Sequence, residues 1–174
     1  MSVALRFAFG VTLLATSAAA AAQPRSLANL PPDATMRGVL DEQNRARAAF
    51  GLAPFRWDQG LARGASSYAA YLARIGTLVH SPRSSRVGAR ENLAMGATDA
   101  RQLVRNWLAE GRYFVPGIYP HISRTGRAED IVHYTQIIWP TTLSVGCGMV
   151  AGRGRNWLVC RYSPGGNRDG RRIP

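Results

Sequence analysis

The run His133-Tyr134-Thr135-Gln136-Ile137-Ile138-Trp139, ended by Pro140, is rich in β-branched and aromatic residues. Such side chains pack well on a pleated surface, so the run predicts a strand. Two more apolar runs follow closely. Residues 143–150 predict a second strand, 152–154 a glycine turn, and 157–162 a third strand that folds back on the second. Cys147 and Cys160 then fall on neighbouring strands of one hairpin, where a bridge between them is geometrically reasonable.

Upstream the periodicity is helical. Met36, Val39, Leu40, Gln43, Ala46 and Phe50 recur at helix spacing behind Asp33 or Thr35 as cap, and Gly51 closes the segment. Pro54 forces an extended link. Asp58 caps a second helix whose inner face is Leu61, Ala65, Tyr68, Ala69 and Leu72, with Gly76 at its end. Residues 77–97 hold Pro82, two glycines and several polar side chains, and they read as loop. A third helix begins near Thr98 or Asp99 and carries Leu103, Val104, Trp107 and Leu108. Glu110 follows Trp107 by three residues, which puts a carboxylate on the inner face of that helix, where it needs a partner. Helices first and antiparallel strands afterwards give the α+β class, not a βαβ sheet.

The N-terminus sets the compartment. Arg6 is the only charge before Arg25, an apolar core begins at Phe7, and Ala20-Ala21-Ala22 before Gln23 fits signal-peptidase cleavage. That core falls short of the roughly 20 apolar residues that span a bilayer, although a retained anchor is the competing reading. The expected organisation is a signal peptide at 1–22, a flexible lead-in at 23–34 and one domain at 35–174. The protein is then secreted or periplasmic, with no transmembrane segment after signal removal. In an oxidising compartment two cysteines favour a disulfide, worth roughly 3 kcal/mol for a loop of this length. The net charge is +12, and all 22 basic residues are arginine. They are scattered, densest at Arg83, Arg86 and Arg90 and in the tail at Arg168, Arg171 and Arg172, and no nucleic-acid module accompanies them. Nucleic acid is therefore not an expected partner, whereas anionic lipid or an envelope polymer suits a basic surface.

No nucleophile elbow, H-E-x-x-H zinc helix or P-loop is present. Histidine chemistry must use His80, His121 or His133. His121 carries no assignment. Spacing alone does not bring His80, Glu91, Glu110 and His133 together, and by residue type each histidine reads as structural more readily than as a ligand.

A resemblance adds to this. His133 to Thr142 resembles the first signature of the CAP superfamily of cysteine-rich secretory proteins, antigen 5 and plant pathogenesis-related proteins. Leu158-Val159-Cys160-Arg161-Tyr162-Ser163-Pro164-Gly165-Gly166-Asn167 resembles the second. Gln43-Asn44-Arg45, Phe55-Arg56-Trp57-Asp58, His80-Ser81, Glu91-Asn92-Leu93 and Asn106-Trp107 stand in that family's order, so the similarity covers nearly all of residues 36–170. Val132 and Trp157 depart from the two signatures, and the several disulfides of plant and animal relatives reduce here to one possible pair.

The resemblance implies a three-layer α-β-α sandwich with a central antiparallel sheet. It also implies a cleft that gathers His80, Glu91, Glu110 and His133. Two imidazoles, His80 and His133, would hold zinc or another divalent cation weakly, with the carboxylates orienting them. The expected function is a non-enzymatic exported module that binds lipid or an envelope component. The alternative is a zinc-assisted hydrolase or peptidase with Glu91 or Glu110 as general base. The family's lipid loop corresponds to the segment with Tyr113, Phe114, Ile118 and Tyr119, which could equally pack the third helix onto the sheet. The natural ligand and the oligomeric state stay open.

Overall fold

The computed structural model describes Met1 and residues 32–174. The expected signal peptide beyond Met1, and residues 23–31 of the expected lead-in, lie outside the described residues. In chain order the elements are α1 (Ala34–Ala48), β1 (Arg56–Trp57), α2 (Gln59–Ile75), β2 (Arg90–Gly96), α3 (Ala100–Ala109), β3 (Gly117–Ile118), α4 (Val132–Ile137), β4 (Ser144–Gly152), β5 (Arg155–Ser163) and β6 (Arg172–Ile173). The main sheet has the order β1-β4-β5-β2, and β3 and β6 form a separate small pair.

Alternation along β5 builds the layers. Trp157 and Val159 join Ala65, Ala69 and Leu72 of α2 on one face. Leu158, Cys160 and Tyr162 join Val39 of α1 and Leu103, Val104 and Trp107 of α3 on the other. Helices thus cover both faces, giving the α-β-α sandwich. Cys147 and Cys160 are direct cross-strand partners, bridged on the α1/α3 face. Three predicted caps hold: Asp33, Asp58 and Asp99 accept from the N–H of Met36, Leu61 and Gln102 at 2.8, 2.9 and 2.8 Å. Glu42, 8% exposed, ties α1 to α3 through Arg101 and Arg105, and pairs with Arg45 on its own helix.

Small residues let α2 lie almost on the backbone of β4. A Cβ added at Gly146 would fall on the Ala62 nitrogen and the Asp58 carbonyl; one at Gly148 would fall on Ser66. Gly146→Ala should therefore cost about 3 kcal/mol or more. Urea unfolding checks this, and a wild-type midpoint would mean that α2 does not sit this close.

Four expectations need correction. Residues 132–137 form helix α4, not a strand. Its stabilising groups come from remote parts of the chain: Glu110 Oε2 accepts from the backbone N–H of His133 and Tyr134 at 3.0 and 3.1 Å, capping the first turn. At the other end Arg47 donates to the carbonyls of Ile137 and Trp139 at 2.8 and 2.9 Å. A carboxylate and a cation at the ends that suit the helix dipole outweigh the strand propensity of the six residues. The segment 77–97 is not all loop, because 90–96 form edge strand β2, paired antiparallel with β5. Buried Glu91 and Asn92 disguise it, being polar residues whose partners are distant in sequence. The two residues of β1 run parallel to β4, so the sheet is antiparallel except at that edge. Glu110 lies just past α3, opening the 3-10 turn Glu110–Tyr113.

Candidate functional site

The chemistry gathers around β2. Glu91 faces Arg161 directly across the β2–β5 ladder. Its side chain is fully buried, and both oxygens are engaged. Oε1 accepts from the Ser81 N–H at 3.0 Å and from His80 Nδ1 at 3.2 Å; Oε2 accepts from Ser81 Oγ at 2.8 Å and Arg161 Nε at 3.1 Å. Burial pushes the Glu91 carboxyl up, but the hydrogen bonds from His80 and Ser81 and the charge of Arg161 outweigh it and hold the group at about 2. The carboxylate is locked in its ionised form.

A second pair joins helix α4 to the turn after α3. Glu110 Oε1 accepts from His133 Nδ1 at 2.6 Å, while Oε2 caps α4 as described. The Trp107 indole stacks on the His133 ring, with centroids 5.7 Å apart and planes 15° off parallel. Asn92 of β2 donates to the His133 carbonyl at 3.1 Å and to the Tyr162 hydroxyl, which in turn donates to Gln43. This buried chain fixes α4 against β2 and α1.

His80, Glu91 and His133 line one cleft of about 1010 Å³, with Asn92, Tyr119 and Gln136 among its other walls. Each imidazole has its Nδ1 held by a glutamate, and neither Nε2 has a protein partner among the described residues. A histidine fixed in this way can offer Nε2 to a ligand or metal. Among the described residues no three His, Cys, Asp or Glu side chains group as a metal cage.

One residue of the apolar loop, Tyr119, is in the cleft wall. Phe114 and Tyr119 are buried with Ile122, Ile131, Trp139 and Ile173, while Tyr113 is half-buried and Ile118 exposed. His121 is exposed and outside the cleft. Sequence reasoning misses Ser81 and Arg161 as holders of Glu91; the signal available for Arg161 is its place on a strand that faces β2. Trp107 reads from the sequence only as core.

A family model described as the cysteine-rich secretory protein family (CAP) matches residues 40–162. Pathogenesis-related protein 1B of Nicotiana tabacum is 38% identical over 138 residues, which cover 76% of this chain and 77% of the tobacco protein. A pathogenesis-related protein of PR-1 type from Sambucus nigra is 33% identical over 168 residues, covering 94% and 93% of the two chains. In three dimensions the crystal structure of NaASP2 with Zn2+ superposes with a TM-score of 0.68 at 21% identity, covering 82% of this chain and 88% of that one. The last match speaks to the fold alone. With the sandwich, the two signature segments and the relatives in agreement, this chain belongs to the cysteine-rich secretory protein (CAP) family.

Proposed function

We propose that the protein is an exported, non-enzymatic binding module that captures a lipid or cell-envelope ligand in the His80/His133 cleft. The observation that carries this reading is the commitment of both carboxylates. Glu91 accepts four hydrogen bonds and Glu110 three, so neither is left to deprotonate a water, as the hydrolase alternative requires. Both instead act as positioning residues for imidazoles at an open cleft. His80 and His133 would hold a divalent ion through Nε2, and such an ion would supply a positive centre for an anionic ligand group. The NaASP2 crystals contained Zn2+, which makes zinc the sensible probe. Export is part of the same proposal and draws on the N-terminal segment. Among the described residues no helix is long and apolar enough to cross a membrane.

Calorimetric zinc titration of the purified protein tests the reading. One weak site is the expected result, absent in His80→Ala/His133→Ala and about tenfold weaker in Glu110→Gln, where the orienting carboxylate is lost. Equal, negligible heat in all three would remove the ion from the proposal. Steady zinc-dependent turnover of a peptide or ester substrate, abolished by Glu110→Gln, would favour the hydrolase instead.

A further inference from the structure

Four of the arginines come together in space. Arg83, Arg86 and Arg90 of the loop and strand before Glu91, and Arg168 of the C-terminal tail, all line the cleft that holds His80 and His133. The glycine pair of the second signature makes this possible. The N–H of Gly165 donates to the Gly88 carbonyl at 3.0 Å, and a Cβ at Gly165 would meet the Arg90 side chain at 2.7 Å and that carbonyl at 2.8 Å. Backbone carbonyls then aim the side chains: Arg90 Nε donates to Gly166 at 3.4 Å and Arg168 Nε to Gly165 at 3.0 Å. Each anchored guanidinium keeps its terminal nitrogens for something else.

Two carboxylates, Glu91 and Asp169, also line the cleft, but the four arginines outnumber them. Among the described residues Arg83, Arg90 and Arg168 make no ion pair, and residues 1–31 contain no Asp or Glu. Arg86 is the most telling. Its side chain is only 8% exposed, its nearest carboxylate contact is 3.9 Å to a Glu91 already saturated by other donors, and its Nε has no partner among the described residues. Burial, and then the charges of Arg83, Arg86 and Arg168, depress the affinity of Arg90 for its proton. Like charges held together this way cost free energy that an anion would recover.

We infer that Arg83, Arg86, Arg90 and Arg168 form a subsite for a phosphoryl group, the anionic end of the ligand that the cleft takes. Guanidinium forks match carboxylate and phosphate alike. Four of them, however, present more N–H donors than the two oxygens of one carboxylate can accept. A phosphate monoester offers three terminal oxygens and a charge near −2, which suits the surplus. The inference rests on the cleft being a capture site and adds the chemistry of one end of its ligand.

Two probes separate the sources of such a group: inorganic phosphate by calorimetry at low salt, and co-sedimentation with phosphatidylcholine vesicles with and without phosphatidic acid. The test variant is Arg83→Gln/Arg168→Gln, two exposed side chains; the control is Arg63→Gln/Arg124→Gln, which removes the same charge outside the cleft. Circular dichroism confirms that both remain folded. Binding should fall about tenfold or more in the test variant and less than about twofold in the control, where only screened long-range charge is lost. Loss with both probes assigns a lipid headgroup, and loss with inorganic phosphate alone assigns a soluble phosphate ester; either supports the subsite. Equal binding by the two variants, or none by the wild type with either probe, overturns it. The zinc titration reads the imidazoles separately, so that result stands or falls independently.

Discussion

Arg47→Met should remove about 3–5 kcal/mol of stability, a large part of the 5–15 kcal/mol that holds most domains together. Arg47 is 1% exposed, and its guanidinium serves four carbonyls at once. Nε donates to Ala53 at 2.7 Å, Nη1 to Ile137 and Trp139, and Nη2 to Thr142 at 3.0 Å. The Phe55 ring covers the cation at 4.0 Å. Burial lowers its pKa to about 10, so it stays charged at neutral pH. Methionine keeps the apolar stem but leaves those carbonyls buried and unmatched, and lysine should rescue little because an ammonium cannot span the set. Urea unfolding measures the loss. A cost below about 1 kcal/mol would mean that water reaches these carbonyls and that the C-terminal end of α4 is not held as described.

Glu91→Ala should cost a similar amount. It strips the counter-charge from Arg161, 11% exposed at its side chain, and from Arg86, and leaves the Ser81 N–H and hydroxyl without an acceptor. Glu91→Gln should cost less, since an amide oxygen still accepts. The pH profile separates the charge from the packing. The folded value of about 2 lies below the ordinary 4.5, so this contribution is fully present well above pH 4.5 and is lost as pH falls toward 2. In Glu91→Gln that part of the acid loss should vanish. The part from Glu42 should remain, because its hydrogen bond from Arg45, opposed by burial and reinforced by Arg101 and Arg105, also holds it at about 2. An unchanged acid limb in Glu91→Gln would contradict the buried ion pair.

The elements that can be read from local sequence are those whose stabilising groups are local. Helices α1, α2 and α3 carry their own caps three residues before the N–H they serve, and β4 and β5 carry alternation and a glycine turn. Helix α4 and strand β2 carry neither. What makes 132–137 helical is a carboxylate at 110 and a guanidinium at 47, and what makes 90–96 a strand is a pairing with β5, far along the chain. The candidate site shows the same division. The ordered resemblance points to His80, Glu91, Glu110 and His133 by position, and the odd placement of Glu110 beside Trp107 already asks for a partner. The pairing of each histidine with its own glutamate, and the roles of Ser81, Arg161 and Asn92, depend on contacts across the sheet. The arginine cluster is visible in the sequence only as two dense patches, because Gly165 and Gly166 fold the tail back onto the loop before β2.

Two imidazoles line the cleft, each held through Nδ1 by a glutamate and each with its Nε2 unpartnered among the described residues. Two-dimensional 1H–15N correlation of the histidine side chains in the neutral form, with and without zinc, tests this most directly. The predicted result is that His80 and His133 carry their proton on Nδ1 and that zinc moves the Nε2 resonances of these two while leaving His121 unchanged. Protons on Nε2 of His80 and His133, or zinc shifts of the same size at all three histidines, would contradict it.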